Sequence, residues 1–594
     1  MRIVLIILLA SNFVFSQQKQ GANWILNYKC GLDFNFVPPR FDSSAYTSQQ
    51  VSSFFAPTSA TISDANGNLL FYSDGRSVFN RNHQIMSNGD SIANVSFGRA
   101  LIVQKPKSPN LYYLFVTYRL NSSVSDYTFF TYSIVDMNLD NGYGSVVFGQ
   151  KGLVLKDSIL PLTLTVLDHS NSIDKWVLIH DRLGNSFRTF LIDSSGISIP
   201  IISQIGNIFQ NQIFTGEIKT STNSEYISFC VGTSPNPSNS KLELYNFNRT
   251  SGQLTNLVEL PVSQTFPQFG TLISPGAFSP NNLKFFYPKD DSVFQLNLNG
   301  GLNNGILNTK SFIGKIRPWF GSPVSQVSDF QLSSEGKIYI NPSVGSGYLA
   351  RINCPNATGS SVNYEDSAIF LNGNFTSYNF PTLNQTLFVN ANILQAQADK
   401  DTICFGDSIN LSAFGAGADA FFWVKVSGPG PPGLSATTGG LIKASPQVGT
   451  HVYRAVGFKT CGAPDTAMVR LVVVPSPVAN AGPNQTVCRG DTVQIGTTAS
   501  TGTYRWARLP AAPVGNLLND STAQRPFFRS GFASPAQTQF SFVLQSRNAG
   551  CTRTDTVTVN LNNLPSALNL AGPDTTKCAT APIQLGTAPV PNLS

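Results

Sequence analysis

Charge is what this chain has least of. Asp, Glu, Lys and Arg make up 12% of its 594 residues, about half the share of an ordinary soluble protein. The formal net charge of +7 is not gathered into any Lys/Arg run, so the patch that nucleic acid or an anionic membrane surface would need is missing. Histidine is scarce, with only His83, His169, His180 and His451. None belongs to an HExxH pair and no serine stands in a G-x-S-x-G elbow, which removes two common hydrolase signatures. The spacings of Cys30, Cys230 and Cys354 give no close pair of the kind zinc sites use. GAGADA (415–420) imitates part of a dinucleotide loop, but it lacks the third glycine and runs into FFWVKV rather than a helix. No catalytic, cofactor-binding or metal-ligating residue is therefore assigned. Helical periodicity is also hard to find, and beyond the N-terminus no segment reaches membrane-spanning length.

What is present points to strands and turns. Phe 43, Tyr 18, Gly 48 and Pro 36, with abundant Ser, Thr and Asn, favour short strands and tight connections. The length suits roughly three to five domains. The start, MRIVLIILLASNFVFSQQKQ, has Arg2, an apolar run from Ile3 to Phe15, and Val14 and Ser16 at the −3 and −1 places of a cleavage site. It reads as a signal peptide over 1–16, cleaved near Ser16, with no membrane span in the mature chain.

Residues 22–390 repeat weakly. ISDANGNLLFYS (62–73), KSPNLYYLFV (107–116), HSNSIDKWVLIHD (169–181), TSTNSEYISFCV (220–231), FSPNNLKFFYP (278–288) and LSSEGKIYINP (332–342) each set a turn before an aromatic-rich strand. Units of about 40–50 residues holding four strands are the signature of β-propeller blades. NWILNYKCGLDF (23–34) and NFPTLNQTLFVNA (379–391) supply material for a seventh, composite blade. The expectation is a seven-bladed propeller over 17–392, with six or eight blades left open.

A second texture begins near residue 393. AGPNQTVCRGDTVQIGT (481–497) is answered by AGPDTTKCATAPIQLGT (571–587) at a constant offset of 90 residues. Each unit shows Cys, Trp, a strand, then Cys: Cys404, Trp423, HVYRAV and Cys461, then Cys488, Trp506, FSFVLQ and Cys551. Short strands in this order describe immunoglobulin-like sandwiches, expected over 393–475 and 476–563, with the start of a third, incomplete one over 564–594. The disulfides expected are Cys404–Cys461 and Cys488–Cys551, closing loops of 57 and 63 residues and contributing roughly 4 kcal/mol each. A Cys30–Cys354 bridge is left open, and Cys230 reads as a buried thiol.

The block ATISDANGNLLFYSDGRSVFNRNHQIMSNG (60–89), with NWILNYKCGLDF before it and KPKSPNLYYLF and SSEGKIYIN after it, resembles a propeller region of secreted Bacteroidetes surface proteins. The tail resembles the polycystic-kidney-disease-type and immunoglobulin-like repeats of gliding-motility-associated proteins. That resemblance implies export by the type IX secretion system through a C-terminal sorting domain not found in these residues.

The densest polar-aromatic cluster is His169, Trp176, His180 and Asp181. Trp176 and His180 lie four apart and would share a strand face. They are the ligand-pocket candidates, with a hydrogen-bonded set that stabilises the sheet as the favoured alternative. The expected function is an exported cell-surface binding or adhesion protein, linked through the resemblance to gliding motility. The propeller would recognise an extracellular glycan or surface ligand, and the sandwiches would form a stalk. The alternative is a secreted propeller glycosidase or lyase acting on extracellular polysaccharide, although no catalytic motif supports it.

Overall fold

The computed structural model describes residues 18–562 apart from 28, 45–57, 94–96, 120–127, 160–162, 210–212, 234–240, 261–273, 318–328, 343–345, 375, 377–378, 389–392, 460, 511–512 and 535. The expected signal peptide, the third repeat and Cys578 lie outside the described residues.

Among the described residues the chain is all-β, relieved only by short 3-10 turns. Up to Phe370 it forms seven successive antiparallel sheets of three to five strands. They begin at Asn23, Ala60, Phe97, Thr165, Ile213, Ala277 and Asp329. All six turn-and-strand segments read from sequence are hairpins joining the first two strands of the second to seventh sheets. In the first of them Asp64 caps the turn, accepting from the backbone of Asn66 and Asn68, and Gly67 supplies the positive φ of +91°.

The sheets pack face to face through their apolar residues. Leu101 and Val103 of the third sheet share a core with Val166 and Val177 of the fourth. Phe187 of the fourth meets Phe229 of the fifth. The first and seventh sheets also meet, where Trp24 and Phe34 pack on Tyr339 at 5.8 and 5.3 Å between ring centroids. The seven remain separate sheets. The sequence reading has residues 379–391 complete a composite blade with 23–34. Instead, the described part makes one parallel bridge, Thr382 to Ala60 of the second sheet, then a 3-10 turn over Gln385–Phe388.

From Gln395 two sandwiches follow. In the first, a three-stranded sheet of Gln395–Ala398, Ile409–Phe414 and Leu441–Ala444 faces a four-stranded one. The latter runs Thr402–Cys404, Asp465–Val474, Gly449–Phe458, Ala420–Ser427 in spatial order. Leu411 and Ile442 from one sheet pack on Trp423, Tyr453 and Leu471 from the other. The second sandwich repeats the four-stranded sheet as Gln485–Cys488, Cys551–Asn562, Gln539–Asn548 and Thr503–Leu509, opposite a two-stranded ribbon. Trp423 and Trp506 are buried at matching places, and each indole N–H donates to a backbone carbonyl at 2.9 Å, of Gly439 and Ala523 respectively. A buried indole needs such a partner.

Candidate functional site

The four sequence-selected residues do not converge on one cavity. Trp176 and His180 share a face of the strand Lys175–His180, as their spacing predicts, but that face is the packed interface with the fifth sheet. Trp176 donates its indole N–H to the Arg249 carbonyl at 2.8 Å. His180 is fully buried against Phe187, Phe209 and Phe229. Burial pushes its imidazole down to about 4, against the backbone carbonyl and charge of Asp181. Asp181 accepts a two-pronged bond from Arg188 at 2.7 and 2.8 Å. His169 sits at the exposed turn before the strand, its ring 5.5 Å from Trp176. The arrangement packs two sheets together and closes the His180 imidazole off from solvent.

The concentration of buried charge lies elsewhere, on first strands of alternate sheets. Arg99 (Phe97–Gln104) pairs with Glu217 (Ile213–Thr220). Lys219 of the same strand reaches Asp329 Oδ1 at 3.0 Å and Gln331 Oε1 at 2.9 Å in the strand Asp329–Leu332. Asp329 also accepts the backbone N–H groups of Phe330 at 2.7 Å and Phe380 at 2.9 Å. All four charges are buried. Burial and the neighbouring Glu217 push the Asp329 carboxyl up to about 6, against the pull of Lys219 and Arg99. Two cations and two anions thus cancel within the protein, tying the third, fifth and seventh sheets together. Breaking such a buried pair is costly, because it leaves a charge without water or partner. Sequence reading missed this cluster. The signal was a rare charge inside otherwise apolar strands such as FGRALIVQ and DFQL.

The domain junctions carry the largest departure from the sequence reading. Cys404 bonds Cys551, and Cys354 bonds Cys461, with Cα separations of 5.7 and 5.6 Å. The expected pairs Cys404–Cys461 and Cys488–Cys551 are corrected. Cys404 lies beside Val474, the last residue of the ten-residue strand Asp465–Val474, whereas Cys461 precedes its first. That strand holds them roughly 30 Å apart at about 3.3 Å per residue. Cys488 and Cys551 are likewise set at opposite ends of Cys551–Asn562. Head-to-tail stacking instead brings the tail cysteine of one unit to the hairpin cysteine of the next. Cys30 does not pair with Cys354; its thiol is buried and pushed up to about 12. Cys230 is a buried thiol, as its apolar strand suggested.

Polar contacts flank both bridges. Lys337 meets Asp419 at 2.6 Å, and Gly417 donates to the Glu335 carbonyl at 2.9 Å, beside Cys354–Cys461. Arg553 meets Asp407 at 2.6 Å, and Ser476 donates to the Phe405 carbonyl at 2.7 Å, beside Cys404–Cys551.

No protein-family model matches the chain, and no curated protein matches it significantly. Among solved structures, it is similar to the extracellular domain of a putative hybrid two-component system from B. thetaiotaomicron. That match has 13% identity and a TM-score of 0.28, covering 74% of this chain and 59% of that one. It is also similar to extracellular domains 3–5 of Drosophila OTK, with 13% identity and a TM-score of 0.20, covering 38% and 71% respectively. Murine CEACAM1b aligns with 29% of the chain and its own whole length at 12% identity and a TM-score of 0.18. Likeness at this level carries nothing about function. The two disulfides fit an extracellular or surface location. Among the described residues no helix is long and apolar enough to cross a membrane.

Proposed function

We propose that this is an exported cell-surface binding protein in which a closed seven-bladed propeller recognises an extracellular glycan or surface ligand and the sandwiches act as its stalk. One observation carries the reading: a covalent bond crosses each junction, from the seventh sheet to the first sandwich and from there to the second. A module that merely tethers needs no such bonds, whereas one that transmits force from a bound ligand to the cell gains from a stalk that cannot hinge apart. The self-neutralised charges of Arg99, Glu217, Lys219 and Asp329 support a structural centre rather than a catalytic one. Gliding adhesion after type IX export is the setting that the family resemblance implies.

The test uses a chain from residue 17 through the second sandwich, because a fragment ending near 390 would strand Cys354. Saturable binding to immobilised polysaccharides or surface proteins, with the polysaccharide chain length unchanged, is expected. Failure to bind any of them would remove the adhesion reading, and depolymerisation would replace it with the enzymatic one.

A further inference from the structure

The buried charge cluster brings together the parts of a condensation reaction. Lys219 Nζ lies 3.0 Å from Asp329 Oδ1 and 3.1 Å from Oδ2. Facing both oxygens almost equally, it stands opposite Cγ at about 3–3.5 Å, the separation of reacting atoms in a near-attack arrangement. Gln331 Oε1 accepts from the same Nζ at 2.9 Å and steadies the amine. Glu217 and Lys219 are two residues apart and share a strand face, which sets Glu217 Oε1 3.8 Å from Nζ. Arg99 donates to that same oxygen, so Glu217 stands between the amine and the guanidinium.

The Asp329 carboxyl is placed as the electrophile. Phe330 N–H donates to Oδ1 at 2.7 Å and Phe380 N–H to Oδ2 at 2.9 Å. Fixed backbone donors at these distances stabilise the oxyanion of a tetrahedral intermediate. Asp329 is fully buried, with Phe330 and Phe380 buried beside it, and burial pushes its carboxyl up, toward the protonated form. In such a pocket, a proton passing from the ammonium to the carboxylate leaves an amine facing an acid. Desolvated lysine amines are effective nucleophiles. Keeping an ion pair out of water is costly; a neutral amide removes that cost and leaves Arg99 and Glu217 to balance each other.

We propose that Lys219 and Asp329 join in an intramolecular amide bond, with Glu217 carrying the proton, so that the fifth and seventh sheets are linked covalently across 110 residues of chain. One Nζ proton passes directly to the Asp329 carboxylate. The Nζ lone pair then attacks Cγ, and the C=O electron pair moves onto the oxygen, where a backbone N–H holds it. Glu217 takes a second proton from Nζ and delivers it to the protonated oxygen of Asp329. The Cγ–O bond breaks, water leaves, and the amide keeps the third proton. Nothing is oxidised or reduced, and Glu217 ends as it began. The bond belongs to the fold and does not depend on what the protein binds.

The test is the mass of the whole protein after its disulfides are reduced, together with a tryptic map. The protein is expected to be lighter than its sequence by one water. Lys219 should resist trypsin, and a branched peptide joining the Lys219 and Asp329 segments should replace the two separate ones. Full sequence mass with cleavage after Lys219 would overturn the proposal, as would a lost water that maps to other residues. In K219R, which keeps the charge without the amine, the branched peptide and its mass deficit should disappear. In E217Q chains that retain the Cys354–Cys461 and Cys404–Cys551 bonds, most Lys219 and Asp329 peptides should be recovered unjoined. Complete joining in E217Q would remove Glu217 from the reaction and overturn the mechanism. The parent chain's map decides the bond whether or not either variant folds.

Discussion

Cys404 and Cys461 lie at opposite ends of the strand Asp465–Val474, and each bonds a neighbouring domain instead of the other. The consequence is energetic as well as topological. The Cys404–Cys551 bridge closes a loop of 147 residues, for which the chain-entropy estimate is about 5 kcal/mol. The variant Cys551→Ser should lose several kcal/mol in denaturant unfolding followed at the second sandwich, whereas Cys488→Ser should lose almost none. Equal losses would favour a Cys488–Cys551 bond.

The presence of strands, hairpins and two repeated sandwiches was legible because turn chemistry and alternation are local properties. The six hairpins needed only Asn, Asp, Gly or Pro before an aromatic run, and each is found where its segment lies. Trp423 and Trp506 were legible as matching residues of a repeat. The cysteine partners were not, because spacing within a unit says nothing about which end of the last strand each cysteine occupies. The charge cluster was hidden for a similar reason: Arg99, Glu217 and Asp329 are separated by more than 100 residues and meet only when three sheets converge.

Removal of one member of that cluster should be severe. Glu217→Ala leaves the Arg99 guanidinium buried without the carboxylate it pairs with, with an expected loss of about 3–5 kcal/mol in urea unfolding. Lys315→Ala, which breaks the exposed Lys315–Asp291 pair, should cost less than about 1 kcal/mol. Similar costs for the two would contradict the buried network.

His180 should make stability depend on acid. Its imidazole is held down to about 4 in the fold and titrates near 6.5 once unfolded. The unfolded state therefore binds the proton first as pH falls. The contribution is complete above about 6.5 and is lost on the way down to 4, by roughly 3 kcal/mol. Melting temperatures recorded between pH 7 and 4 should fall less steeply in His180→Phe than in the parent chain. Parallel curves would mean that His180 is not the group responsible.

The two buried indoles should be worth similar amounts. Trp423→Ala and Trp506→Ala each empty the centre of a sandwich and should each cost about 3–5 kcal/mol. Thermal unfolding of each variant, compared with the parent, checks this. A cost below 1 kcal/mol at either position would mean that the matching cores are not equivalent.

The claim that the domains are stapled head to tail has a direct test. A protease site placed in the connection 475–480 allows the chain to be cut between the two sandwiches, and the products can be run on a denaturing gel without reductant. The Cys404–Cys551 bond predicts a single band at the mass of the uncut chain, which splits into two only when dithiothreitol is added. Two bands without reductant would place the bonds within the sandwiches and contradict the account.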